Sequence, residues 1–315
     1  MARKIEPAVL TLNFDIGQSN VNYLDLAKAL SEVNRRFYRQ GMNYAVAGFR
    51  FGYVGNDSPT VRVSCLPNTW PVGASWHKFF SKWQEQQNEA LKASGSLEAK
   101  SRYNDFKIYF DRFMKTSTNL RPISPGGFTT NAASEFFHEG EWQYSNVVVP
   151  NDGGVAGNSV EYGVHMIGDA GTQQVGMIED YSLSRNLPFS PDPNAPDIDT
   201  SILSKMFDKG GEMTDVVENA IDKNDDVPYE LEDYPFGSLN PGTIGVNIHR
   251  EIQFTATTIG NFQNMDGTMV PCGLIQITQN LDSTTDNTNT WLTMQVFLVP
   301  GNYRGYLAQP MQEMN

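Results

Sequence analysis

Cysteine is nearly absent: Cys65 and Cys272 are the only two in 315 residues. Two thiols are too few to staple a disulfide-rich domain, and each lies in an apolar, strand-like run, so both read as small buried side chains. Histidine is scarce as well, with His77, His138, His165 and His249 set singly and no H-x-x-x-H pair. Long apolar runs are missing, since no stretch approaches the roughly 18 apolar residues that a membrane helix needs. The opening Met1-Ala2-Arg3-Lys4-Ile5-Glu6-Pro7 has no apolar h-region, so no secretory leader is expected. A nucleophile elbow, a phosphate-binding P-loop and a dinucleotide fingerprint are all absent. Glu135, Glu139 and Glu141 surround His138, but their pattern suits the solvent face of a strand start better than a metal site. No catalytic residue, metal ligand or cofactor is therefore expected, and an enzyme is the least supported class.

Basic residues are rare beyond residue 125, and this asymmetry is the most informative positive feature. Residues 1–125 hold 17 Lys+Arg against 10 Asp+Glu, whereas 126–315 hold 6 against 26. Such segregation suggests one surface that meets a polyanion and another that faces water or further copies. The extreme lies within 191–235, where 13 acids meet 3 bases. Prolines punctuate the wider stretch 186–242, which reads as an acidic insertion on the surface, with short helical pieces at 201–208 and 213–222. Asp222-Lys223-Asn224-Asp225-Asp226 with Asp233 mimics the oxygen spacing of a calcium loop. However, the sixth position, where the turn wants Gly, is Val227, and Pro228 follows. A solvated acidic surface is expected there.

With 39% apolar and 11% aromatic residues, the chain is too apolar for a disordered protein. Period-two alternation dominates. Ala8, Leu10, Leu12 and Phe14 alternate with Val9, Thr11, Asn13 and Asp15, and further strand-like runs occupy 44–53, 59–66, 105–111, 141–149, 158–167, 248–258, 268–278 and 291–299. The last has apolar residues on both faces, as a strand buried between layers or against a neighbouring subunit would. This pattern predicts a mainly β protein, an antiparallel sandwich or jelly roll in a single domain spanning 1–315. Two amphipathic helices interrupt it, one over 22–39 with Asn22 as N-cap and Gly41 as stop, the other over 76–92.

On the first helix, Lys28, Arg35 and Arg39 fall within about 40° of one another at 100° per residue, with Arg36 at the boundary. Arginine forks match phosphate oxygens, so these residues, with Arg3 and Lys4, are the candidate nucleic-acid contacts. The plainer reading is a solvated face on which Glu32 pairs with Lys28 and Arg35.

Several phrases are similar to capsid proteins of small circular, Rep-encoding single-stranded DNA viruses from environmental samples. They are Asn34-Arg35-Arg36-Phe37-Tyr38-Arg39-Gln40-Gly41, Leu66-Pro67-Asn68-Thr69-Trp70, Asp105-Phe106-Lys107-Ile108-Tyr109 and Glu141-Trp142-Gln143-Tyr144-Ser145. Val160-Glu161-Tyr162-Gly163-Val164-His165-Met166-Ile167-Gly168, Ser190-Pro191-Asp192-Pro193-Asn194, Val227-Pro228-Tyr229-Glu230 and Pro271-Cys272-Gly273-Leu274-Ile275 continue the series. The resemblance implies a jelly-roll subunit, made in the host cytoplasm or nucleus, that builds an icosahedral virion shell of about 60 copies around single-stranded DNA. One departure is plain. Such proteins often begin with a long arginine-rich arm, whereas only Arg3 and Lys4 precede Glu6 here, so genome contact is expected through the folded basic surface. The rival expectation is a sandwich-type binding or attachment module for carbohydrate or receptor, marked by an exposed aromatic cluster drawn from Trp70, Trp76 and Trp83.

Overall fold

A computed structural model describes residues 7–17, 19–55, 58–95, 105–124, 136–150, 157–184, 201–205, 247–255, 261–280 and 291–314. The chain is mainly β with mostly antiparallel pairing, and its contacts divide it into two compact units where one domain is expected. The first unit takes in Met1–Asn68, Phe113–Gln143 and Asn247–Met314; the second takes in Thr69–Arg112 and Tyr144–Val246.

In chain order the first unit contributes β1 (Thr11–Asp15), β2 (Val21–Asp25), β3 (Met42–Val54), β4 (Thr60–Cys65), β5 (Thr118–Asn119) and β6 (Pro122–Ile123). The second contributes β7 (Asn146–Pro150), β8 (Ser159–His165) and β9 (Gln174–Gly176). The chain then returns to the first with β10 (Asn247–Gln253), β11 (Phe262–Val270), β12 (Leu274–Asn280) and β13 (Trp291–Leu298). A small hairpin, β14 (Pro300–Gly301) with β15 (Gly305–Tyr306), leads to β16 (Ala308–Pro310), which pairs with the start of β3.

Two sheets form in the first unit, one ordered β11-β3-β13-β1-β6 and the other β10-β4-β12-β2-β5. The main strands pair as a nested set: β1 with β13, β2 with β12, β3 with β11 and β4 with β10, all antiparallel. Each strand of this set lies in the other sheet from its predecessor, except β10, which follows β4 within one sheet. Alternation along the strands explains the core. Leu12 and Phe14 of β1 face inward opposite Val296 and Met294 of β13. Val61 and Val63 of β4 and Ile275 and Ile277 of β12 join the same buried cluster from the second sheet. On β13, Leu292, Met294, Val296 and Leu298 are buried and Phe297 is half-buried. Gly267 permits the closest strand approach, because a Cβ there would meet the Val46 carbonyl oxygen at 2.2 Å.

The first expected helix is shorter than its pattern. Val21 to Asp25 form β2 against β12, with Tyr23 opposite Gln276 and Leu24 opposite Ile275. Helix α1 (Leu26–Asn34) starts only after them. Its N-cap is Asp25, not Asn22: the Asp25 carboxylate accepts from the Lys28 N–H at 3.1 Å. Arg35, in the left-handed region at φ 55°, ends it, well before Gly41. The apolar helical spacing of Leu26, Leu30 and Val33 runs on to Phe37, but Phe37 packs on Trp142 from the loop, with ring centroids 6.1 Å apart. The expected strand 268–278 is two strands in opposite sheets. Pro271–Gly273 form a 3-10 turn between them, with Cys272 at φ 55° and Gly273 at φ 67°.

The second unit has a core of its own. Helix α2 (Trp70–Ala93) begins six residues before the expected start, with Pro71 in its first turn, where the ring is pre-set for a helix. It buries Val72, Trp76, Phe79 and Trp83. Phe106 packs against Trp76 and Trp83 at 6.1 and 5.5 Å. Strands β7, β8 and β9 form a three-stranded sheet. The run 105–111 lies extended beside it but makes only a bridge, through Tyr109 and His165. Helix α3 (Met177–Leu183) and the short α4 (Ile202–Lys205) complete the unit. Of the acidic stretch 186–242, only 201–205 are described, and there Ser201 and Leu203 are buried rather than superficial. The remaining acidic residues, the calcium-like loop and the expected helix at 213–222 lie outside the described residues.

Candidate nucleic-acid interface

Arg3 and Lys4 lie outside the described residues, and the other candidates do not share a helix face. Lys28 is on α1, where its Nζ stands 3.9 Å from Glu32 and 3.5 Å from Glu139. Glu139 also holds Arg121, at 3.3 Å. Lys28 already pairs with the Glu139 carboxylate and stands beside the Glu32 carboxyl, which sets it apart from a phosphate contact. Glu32 is itself unusual. It is only 4% exposed, neither carboxylate oxygen has a hydrogen-bond donor among the described residues, and burial pushes its carboxyl up to about 7. Lys28 and Arg121 oppose that rise, and Glu139 and Asp25 add to it.

Arg35, Arg36 and Arg39 are exposed on the loop that follows α1, not on the helix itself. The expected stripe of Lys28, Arg35 and Arg39 is thus not formed, because the helix ends at Asn34 and the chain turns at Arg35. The loop folds back on the helix through Ser31, whose Oγ accepts from the Tyr38 N–H at 2.9 Å. It is also held by a segment that sequence reasoning passed over. The Tyr38 hydroxyl donates to the Arg304 carbonyl at 3.1 Å, and the Arg39 N–H donates to the Tyr303 hydroxyl at 3.0 Å. Tyr38 packs edge-on against Tyr303 and Tyr306 at 6.2 and 5.4 Å.

These contacts bring Arg304 beside the loop, where its Nη1 donates to the Phe37 carbonyl. Burial raises the Tyr38 hydroxyl, while Arg36 and Arg304 pull it down, so both guanidinium groups are felt at that one oxygen. Asn302-Tyr303-Arg304-Gly305 was the available signal, a Gly- and Asn-containing turn with an arginine at its tip. Its position opposite Arg36 depends on pairing far along the chain and was not readable.

The remaining candidates disperse. His165 is buried, its Nδ1 2.9 Å from the Ile167 carbonyl, and burial lowers it to about 4. His77 and His138 are exposed, and His249 contacts the Asp266 carbonyl at 2.7 Å. Among the described residues no three His, Cys, Asp or Glu side chains gather as metal ligands would. Both thiols are fully buried, which pushes Cys65 up to about 12 and Cys272 well above its ordinary value. Of the three tryptophans that a sugar platform would require, Trp76 and Trp83 are buried and only Trp70 is exposed. No helix among the described residues is long and apolar enough to cross a membrane. Comparison with protein-family models, curated proteins and solved structures finds no match for this chain.

Proposed function

We propose that this chain is the capsid protein of a small single-stranded DNA virus, joining copies of itself into a closed icosahedral shell around the genome. The observation that carries the reading is the nested pairing of the eight main strands. Numbered one to eight, they pair one with eight, two with seven, three with six and four with five, and each crosses to the opposite sheet from the last except the fifth, which stays beside the fourth. A long hairpin rolled up in this way makes a jelly roll, an architecture shared by capsid subunits and by some lectins and cupins. Fold alone does not select among these. Two further features favour a shell. Charge is segregated along the chain, and the edge strands β10 and β11 carry the exposed apolar residues Ile248 and Phe262. Open edges of that kind invite pairing with another copy.

Light scattering and negative-stain microscopy of purified protein test the reading. Uniform closed particles are expected, since identical copies saturate their contacts through symmetry. A stable monomer at high concentration and moderate salt overturns it.

A further inference from the structure

Arg35, Arg36 and Arg39 are exposed on the loop after α1, and hydrogen bonds hold that loop to the segment carrying the exposed Arg304; we propose that these four arginines form a single phosphate-binding surface for the backbone of a nucleic-acid strand. The proposal rests on the capsid reading for its biological setting and adds to it a defined site. The surface is built, not incidental. Tyr38, Tyr303 and Tyr306 pack under it, and their hydrogen bonds fix the loop after α1 to the tip of the β14–β15 hairpin.

Backbone conformation is the second observation. Arg35 and Arg304 both sit in the left-handed region, at φ 55° and 50°, where a side chain is disfavoured and Gly or Asn is the ordinary occupant. Arginine at both positions is a local cost, and such costs gather where the side chain has a task. Arg304 has a visible one in holding the Phe37 carbonyl. Arg35 is exposed, and its helix would end as well on glycine.

The start of the described chain adds a third. Val9 donates its N–H to the Asn34 side chain at 3.0 Å, and a Cβ on Gly305 would lie 2.6 Å from that of Ala8. Residues 8 and 9 therefore lie against the end of α1 and the β14–β15 hairpin, the two segments that lead into Arg35 and Arg304. Several guanidinium groups on joined segments suit a repeating anion better than a lone carboxylate, because each can fork onto two phosphate oxygens. Such contacts recognise no base.

The test is the salt dependence of binding to a fluorescent oligo(dT), read by anisotropy, with microscopy of the same samples. Each phosphate contact to a single strand contributes about 0.7 to the slope of log K against log salt. The double variant Arg35→Gly, Arg36→Gln should lower that slope by about 1.4 and weaken binding. Arg35→Lys with Arg36→Lys should restore the slope. Lys92→Gln with Lys115→Gln removes two exposed charges elsewhere and should leave it unchanged. Glycine suits the backbone at position 35, so an intact melting transition is expected and unfolding does not confuse the result. An unchanged slope in the first variant overturns the proposal, as does an equal loss in the lysine control. So does loss of particles with DNA binding intact, which would assign the arginines to a contact between copies. If the wild type forms no particles, the capsid reading fails while the slope comparison still decides the site.

Discussion

Replacing Glu32 with Gln should make the protein more stable at pH 8 and change little near pH 5. Glu32 is buried between α1 and the segment that carries Arg121 and Glu139, and its carboxyl is raised from 4.5 to about 7. The shift is that of an acid held too tightly in its protonated form. Between pH 4.5 and 7 the folded chain keeps a proton that the unfolded chain has released, so stability falls as pH rises through that window and is level above it. Each factor of ten in proton affinity is worth about 1.4 kcal/mol, so the full loss is about 3 kcal/mol. Glutamine mimics the protonated side chain and removes the titration. The attraction of Lys28 is already counted in the position of the pKa, and Lys28 retains Glu139 at 3.5 Å in the variant. Urea unfolding of both proteins at intervals from pH 5 to 8 should give curves that diverge, with a gap of about 3 kcal/mol at the upper end. Parallel curves, or a wild type that is the more stable at pH 8, would refute the reasoning.

Two further outcomes follow from buried groups. Cys65 and Cys272, buried and pushed up in pKa, should not react with a thiol reagent such as DTNB in the native protein and should both react in urea, because the thiolate is the reactive form. Asp180 accepts from the Ser201 hydroxyl at 3.0 Å and from the Ile202 and Leu203 N–H groups at 2.6 and 2.5 Å. Asp180→Ala should therefore cost about 3 kcal/mol by leaving these donors unsatisfied, and Asp180→Asn should not rescue it fully, since its amide N–H₂ cannot accept from Leu203. The check is a lowered urea midpoint in both variants.

Strands were legible where one face is buried and the other is not. Thr60 to Cys65 and Ser159 to His165 appear close to their expected limits, each with differing exposure on its two faces at the start and a fully buried end. Two strands were hidden by competing signals. Val21 to Asp25 continue the apolar pattern of the helix that follows, and Pro271–Gly273 interrupt a run that is apolar on both sides of the turn. Which strand neighbours which could not be read at all, since alternation reports a face and not a partner. The same limit applied to the interface. Arg35, Arg36 and Arg39 were visible as an arginine-rich phrase, but Arg304 reaches them only through contacts spanning most of the chain.

The place of the long excursion between β4 and β10 explains how the two sheets tolerate it. Cys65, the last residue of β4, pairs with Asn247, the first of β10, so residues 66–246 leave and return at paired positions, as the loop of a hairpin does. Closing such a loop costs only logarithmically more as it lengthens, and no strand of the nested set has to move. The excursion also gives something back. Its residues Thr118–Asn119 pair with β2 and its residues Pro122–Ile123 pair with β1, covering one edge of each sheet. Among the described residues β10 and β11 have no further strand partner at the opposite ends of the two strand orders, and their side chains meet where Arg250 pairs with Asp266. A protein selected to remain single would be expected to blunt both edges. Here one edge of each sheet is covered from within, and the end strand on the other side carries an exposed apolar side chain, Ile248 on β10 and Phe262 on β11.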